Sequence, residues 1–298
     1  MMDVCSCDVH DKTALALFLQ KKEEWKRCIV GDGRHSVYKQ ITHMLWRDAV
    51  FRTFNEARRL TIERNSQKYG FNGPLIRLLD EGFVGSQTMS VRRLTDRNFR
   101  DPEKAVISLI RVIDDIEQSM DLITRENYVC CDGASYIEPN SMEATVEWTH
   151  WRRKQINFDT LSGKTQDNRD RSDKMQRSVL QRLNRELQVC EGVRKYANKF
   201  VAHASDPETN RELSEEAKKI TLDKLDDCYE AIVRVASFLG SVFLYEHGVG
   251  GVPTPQYDQL KNLDVPMVAK EDIGQLYTFW TGRCREVDSW DNSLIAVE

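Results

Sequence analysis

The chain has 298 residues, 40% of them hydrophobic and 30% charged, with only 15 glycines and 7 prolines. This composition excludes disordered, collagen-like and disulfide-stapled classes, and the length suits one large domain or two. The net charge of −4 argues against wholesale electrostatic binding of nucleic acid, while leaving local patches open.

No proline precedes Pro74, and 67 residues separate Pro139 from Pro207, intervals that suit long helices better than short strands between turns. Lys12 to Val30 reads as a first helix, which Gly31-Asp32-Gly33 breaks. A long second helix spans about Ser36 to Gln67, with Tyr38, Ile41, Leu45, Val50, Phe54, Leu60 and Ile62 among many charges. The third runs from about Pro74 to Arg97, with Gly82 and Gly85 as candidate kinks. The fourth has a strong start signal, because Asp101 can cap free amides and Pro102 has no amide to satisfy. Its apolar residues, from Ala105 through Ile116 to Ile123, recur at helical intervals.

A loop is expected over Cys130 to Pro139, then a helix over Met142 to Asn157 and a polar stretch from Ser162 to Asp173. A fifth main helix spans about Arg171 to Ala204, with Leu180, Leu183, Leu187, Cys190, Ala197 and Val201 as its apolar stripe and Arg194 on the same seam. Ser205-Asp206-Pro207 stops it. Thr221 can cap a last long helix containing Leu225, Tyr229, Ile232, Val233, Ala236, Leu239 and Phe243. Beyond Gly248 lies a proline-bearing tail with a helix near Glu271 to Trp280. The sequence therefore predicts an all-α antiparallel bundle: an N-terminal helix in 1–34, a helical domain over 35–247 with an insert at about 131–172, and a tail over 248–298.

Charge is polarised along the chain. Trp151 to Arg185 holds ten Lys/Arg against four Asp/Glu, whereas Asp206 to Glu230 holds four against nine. Such runs are either ordinary solvated helix faces or binding patches. The N-terminus shows neither a basic n-region nor an apolar h-region, and the apolar run from Ala231 to Tyr245 is short and contains Arg234. The expectation is a cytoplasmic, non-membrane protein whose eight cysteines are reduced thiols. Cys5, Cys7 and His10 lack a second ligand pair at a finger-like interval, so no metal site and no cofactor is expected.

Phosphate-loop, dinucleotide, G-x-S-x-G and H-E-x-x-H motifs are all missing. The candidate chemistry sits at the end of the fifth helix, within Arg194 to Asp206. At 100° per residue, Tyr196 and Lys199 share a face with His203. Lys199 could contact a phosphate, and a histidine can move a proton near neutral pH. The competing reading is that His203 merely caps the helix.

Asn198-Lys199-x-x-Ala202-His203, an acidic turn and Ile220 to Leu225 together resemble the last helical hairpin of HEPN domains, in their abortive-infection AbiU-like branch. Gly85-Ser86-Gln87 to Arg92-Arg93-Leu94, then Val106 to Ile110 before Asp114-Asp115-Ile116, resemble the preceding helices. The resemblance covers roughly residues 35 to 247. It implies a prokaryotic defence or toxin–antitoxin setting, RNA as ligand, a homodimer, a cognate antitoxin protein and metal-independent endoribonuclease chemistry. In that chemistry a histidine acts on the 2′-hydroxyl, and an arginine before it, with four to six residues between them, stabilises the phosphate.

Here Asn198, Ala197 and Tyr196 occupy those positions, and none is arginine. Arg194 lies nine residues before His203, about 180° away on a regular helix. Loss of a charge that stabilises a developing oxyanion costs about 10²- to 10³-fold in rate. The candidate site is thus His203, Lys199 and Asn198 with weak or absent cleavage. The alternative is a non-catalytic helical scaffold or dimerisation module.

Overall fold

A computed structural model describes residues 8–65, 72–97, 106–139, 145–202, 214, 218–250 and 258–291. The fold is all-α. Among the described residues no strand forms, and the one bridge outside the helices pairs Thr124 with Lys174. The chain divides after Pro253 into two compact units.

Helix α1, Lys12–Ile29, starts where the Asp11 carboxylate accepts the Ala14 amide at 2.8 Å. It buries Leu15, Phe18, Trp25 and Ile29 in the core of the first unit. Each such side chain contributes about 1.5–3 kcal/mol by leaving water. Gly31 follows because a Cβ there would lie 2.4 Å from the Arg27 carbonyl oxygen. Helix α2 spans Val37–Asn65. Helix α3, Gly73–Leu94, is capped by Asn72 and runs unbroken through Gly82 and Gly85.

Helix α4 covers only Leu109–Gln118. Asp101 to Ala105 lie outside the described residues, but Val106 to Ser108 are non-helical, so the fourth helix does not start at Asp101-Pro102. Ser108 caps it instead, accepting the Arg111 amide at 3.2 Å while donating to the Asp96 carbonyl at 2.7 Å. That second bond ties the cap to the chain leaving α3, a long-range anchor that local cap signals do not contain. A 3₁₀ turn, Met120–Leu122, and the short α5, Arg125–Val129, follow.

Helix α6 spans Val146–Ser162 with Thr145 as its cap, and ends on Gly163 at φ +69°, a left-handed conformation that favours glycine. The expected single helix from Arg171 to Ala204 begins at Arg177 instead. Residues before it pair with the entry to α5: Arg125 donates its amide to the Asp173 carbonyl at 2.8 Å, Glu126 to that of Arg171 at 3.1 Å, and Met175 to that of Ile123 at 3.1 Å. The helical path then changes hydrogen-bond register three times. It runs as α7, Arg177–Glu186, a 3₁₀ turn at Leu187–Cys190, α8, Glu191–Tyr196, and a π-helical segment at Ala197–Ala202. Leu180, Leu183, Leu187, Cys190 and Ala197 are buried as the stripe requires, whereas Val201 is exposed.

Helix α9, Leu222–Ser237, starts at the expected Thr221, whose hydroxyl accepts the Lys224 amide at 3.2 Å. It continues as a π-helical segment, Phe238–Phe243, and the chain folds back at Tyr245, φ +58°. Gly240 is demanded by that return: a Cβ there would sit 1.8 Å from the Tyr38 hydroxyl. Trp25 and Phe243 meet with ring centroids 5.4 Å apart, joining α1 to the end of α9. In the second unit, helix α10 spans Ile273–Asp291, longer than the expected Glu271 to Trp280. No helix among the described residues is long and apolar enough to cross a membrane.

Candidate functional site

Asn198 and Lys199 lie on the π-helical segment that ends the α7–α8 rod, packed against α3. Valine and glycine make that contact close: a Cβ on Gly85 would lie 3.8 Å from Val201 Cγ1. His203 lies outside the described residues. The π segment changes the geometry assumed for the site. Its i→i+5 hydrogen bonds place more residues in each turn, so a regular 100° step does not carry from Tyr196 through Ala202. The shared face of Tyr196, Lys199 and His203 therefore does not follow from the sequence spacing. Nor does a fixed half-turn between Arg194 and His203.

Asn198 has a buried side-chain oxygen with no hydrogen-bond partner among the described residues. Lys199 makes no ion pair among the described residues, and is half-buried. An orphaned buried carbonyl oxygen costs about 1–3 kcal/mol, and single π turns inside α-helices are frequent at functional sites. No described arginine hydrogen-bonds to either residue. Arg194 is tied to Glu191, Arg177 to Glu117 at 3.2 Å, and Arg92 contacts the Met89 sulfur. Arg93 is exposed.

The ten cations between Trp151 and Arg185 have very different fates. Five are matched to carboxylates: Lys154 to Asp132, Arg169 to Asp159 at 2.6 Å, Arg171 to Asp8 at 2.6 Å, Lys174 to Asp121 at 2.8 Å, and Arg177 to Glu117. Burial pushes the Asp8 carboxyl up, but hydrogen bonds from the Tyr136 amide and Arg171 outweigh it and hold the group below the usual carboxylate range. The sequence surplus overstates the positive surface.

Of the other five, Arg152 and Arg153 lie on α6, Lys164 follows it, and Arg182 and Arg185 lie on α7, where Arg234 of α9 joins them. Exposed Arg182, Arg185 and Arg234 line an open cleft of about 500 Å³ together with Glu186, Asp227 and Glu230. Arg182 stacks 5.6 Å from the Phe238 ring, and Arg234 pairs with Glu230. Arg185 has no ion-pair partner among the described residues. A second cleft, about 520 Å³, is lined by Arg97, Asn184, Glu191 and Arg194, and the Asn184 side-chain oxygen is buried without a partner. Both clefts mix arginines with carboxylates.

Sequence spacing missed the most densely wired polar region. Arg125, fully buried, donates to Asp159 at 2.8 Å, Asp173 at 2.9 Å, Gln155 at 3.1 Å and Ser162 at 3.0 Å, and lies 5.0 Å from the Phe158 ring. Lys154, 1% exposed, reaches the Val129 carbonyl at 3.1 Å as well as Asp132. Around the return at Tyr245, His150 hydrogen-bonds the tyrosine hydroxyl at 2.7 Å, and the cationic groups of Arg153 and Lys154 each lie 5.8 Å from its ring. Of the suggested metal ligands, Cys5 and Cys7 lie outside the described residues, while His10 hydrogen-bonds Glu126 at 2.8 Å. Among the described residues no cluster of three or more His, Cys, Asp or Glu could hold a metal.

No family model, no curated protein and no solved structure matches this chain.

Proposed function

We propose that this chain is a HEPN-like helical protein of a prokaryotic defence or toxin–antitoxin system that binds RNA, with weak or absent metal-independent endoribonuclease activity. The observation that carries the binding part is the exposed Arg182, Arg185 and Arg234 cluster beside an open cleft, at right scale for a nucleotide phosphate. The weakness of cleavage rests on the arginine shortage around Asn198 and Lys199, which leaves a developing phosphate charge without a bidentate donor. In this reading the chain works as a cytoplasmic homodimer held in check by a cognate antitoxin protein, and His203 carries any residual proton transfer.

The test is a salt titration of binding to fluorescently labelled single-stranded RNA. Affinity should fall linearly on a log–log plot, and the Arg182→Ala, Arg185→Ala double variant should lower the slope by about 1.4. A salt-independent signal, or a double variant that binds like the parent, would remove the RNA reading. His203→Ala should bind RNA like the parent and lose any residual cleavage.

One observation favours the alternative, a non-catalytic scaffold or dimerisation module: half of the basic run is occupied by intramolecular pairs. The scaffold reading expects His203→Ala to leave cellular phenotypes intact. Growth arrest on overexpression that disappears in His203→Ala, at equal levels of soluble protein, would contradict it.

A further inference from the structure

Of four lysines in the first unit, Lys21, Lys22 and Lys26 on α1 and Lys154 on α6, three have carboxylate partners. Lys21 pairs with Asp115 and Glu24, Lys26 with Glu246 at 2.6 Å, and Lys154 with Asp132. Lys22 is the exception. It has no carboxylate partner among the described residues, and its Nζ lies 2.8 Å from the Cys131 Sγ. A distance of about 2.7–3.2 Å is normal between nitrogen and oxygen. Sulfur is the larger atom, so this amine and thiol are in unusually intimate contact.

Among the described buried thiols Cys131 is the most accessible, and it alone has a lysine nitrogen against it. It keeps 7% of its surface exposed, against 1% for its neighbour Cys130, 1% for Cys190 and 0% for Cys228. Cys284 is exposed, with no amine beside it among the described residues.

We propose that Lys22 and Cys131 form an oxidant-driven covalent cross-link, a modification site that ties α1 to the loop after α5. The oxidant is hydrogen peroxide. In the first step the Cys131 sulfur attacks one peroxide oxygen, the O–O bond breaks, and the thiol proton leaves in water, giving a sulfenic acid. In the second step the neutral Lys22 amine attacks that sulfur. The S–N bond forms, the S–O bond breaks, and the departing hydroxide takes an amine proton as a second water. Sulfur loses two electrons and one peroxide is reduced to two waters. Two molecules of a small thiol reverse the change, restoring the thiol and the amine and becoming a disulfide.

The bond closes a loop across a sequence separation of 109 residues, so it constrains the unfolded chain strongly. The full chain, carrying Cys284→Ser to silence the exposed thiol, is titrated with hydrogen peroxide, alkylated, digested with trypsin and read by mass spectrometry. The expected product joins the peptides of Lys22 and Cys131 with the loss of two hydrogens, resists cleavage after Lys22, and disappears with dithiothreitol. Tm should rise by several degrees on oxidation and return on reduction. Lys22→Arg keeps the charge and removes the amine, so it should abolish both the linked peptide and the Tm rise. Cys131 recovered as sulfinic acid, or as a disulfide with Cys130, would overturn the proposal, as would an unchanged Tm gain in Lys22→Arg. The wild-type mass spectrum decides the matter even if a variant fails to fold.

Discussion

The Arg125 region and the Asn198–Lys199 turn are both polar, yet they treat polarity in opposite ways. Around Arg125 each guanidinium nitrogen meets an acceptor on α6 or at Asp173, and two aspartates share the load. At the π turn, the Asn198 oxygen is buried without a partner and Lys199 has no ion pair among the described residues. A buried charge persists only with near-complete pairing, whereas an unsatisfied group persists where stability is not what the site is arranged for. The first region reads as architecture and the second as the place to look for chemistry.

The largest effect that could break this contrast is at Arg125. Arg125→Ala takes the cation from the buried Asp173, while Asp159 keeps Arg169, so it should cost about 3–5 kcal/mol in urea denaturation, the range for removing one partner of a buried pair. A loss near the 0.5 kcal/mol typical of surface sites would mean that the region is wetter than its geometry indicates. At the other region the sign should reverse. Asn198→Leu removes the orphaned oxygen and should stabilise the fold by up to about 1 kcal/mol, measured in the same way, while weakening RNA binding if the turn is functional.

Smaller effects sharpen the boundary between the two. Thr221→Ala removes the α9 cap and should cost about 1 kcal/mol. Lys199→Ala should change stability by less than about 0.5 kcal/mol, because no partner is lost. The Lys154–Asp132 pair gives a pH signature. Burial pushes the Asp132 carboxyl up from its ordinary 3.8, but the hydrogen bond and charge of Lys154 pull it below that value. A depressed folded-state pKa stabilises above the ordinary value and loses that contribution as pH falls through the lower one. Acid titration of stability should therefore steepen below about pH 4 and flatten there in Asp132→Asn.

Much of the architecture was legible locally. Long intervals without proline, the Thr221 cap and the Gly31 stop each act within a few residues, so α1, α3 and α9 fall close to their expected limits. The fourth helix was misplaced because Ser108 is chosen by its bond to the Asp96 carbonyl, which lies twelve positions away. The fifth began late because residues 171–176 are recruited by the entry to α5 through contacts spanning 45 residues or more. At the candidate site, residue types were readable and geometry was not, since a switch from α to π hydrogen bonding leaves no period in the sequence.

The sequence by itself determined the helical class, the apolar stripes and the positions where helices can start, because these depend on backbone sterics and near-neighbour spacing. Only the tertiary structure decided which of the ten cations from Arg152 to Arg185 face water, why Arg125 is buried, and that Lys22 meets a sulfur rather than a carboxylate. Those outcomes depend on partners brought from distant segments, and a charge has no fixed meaning until its nearest opposite charge and its solvent are known.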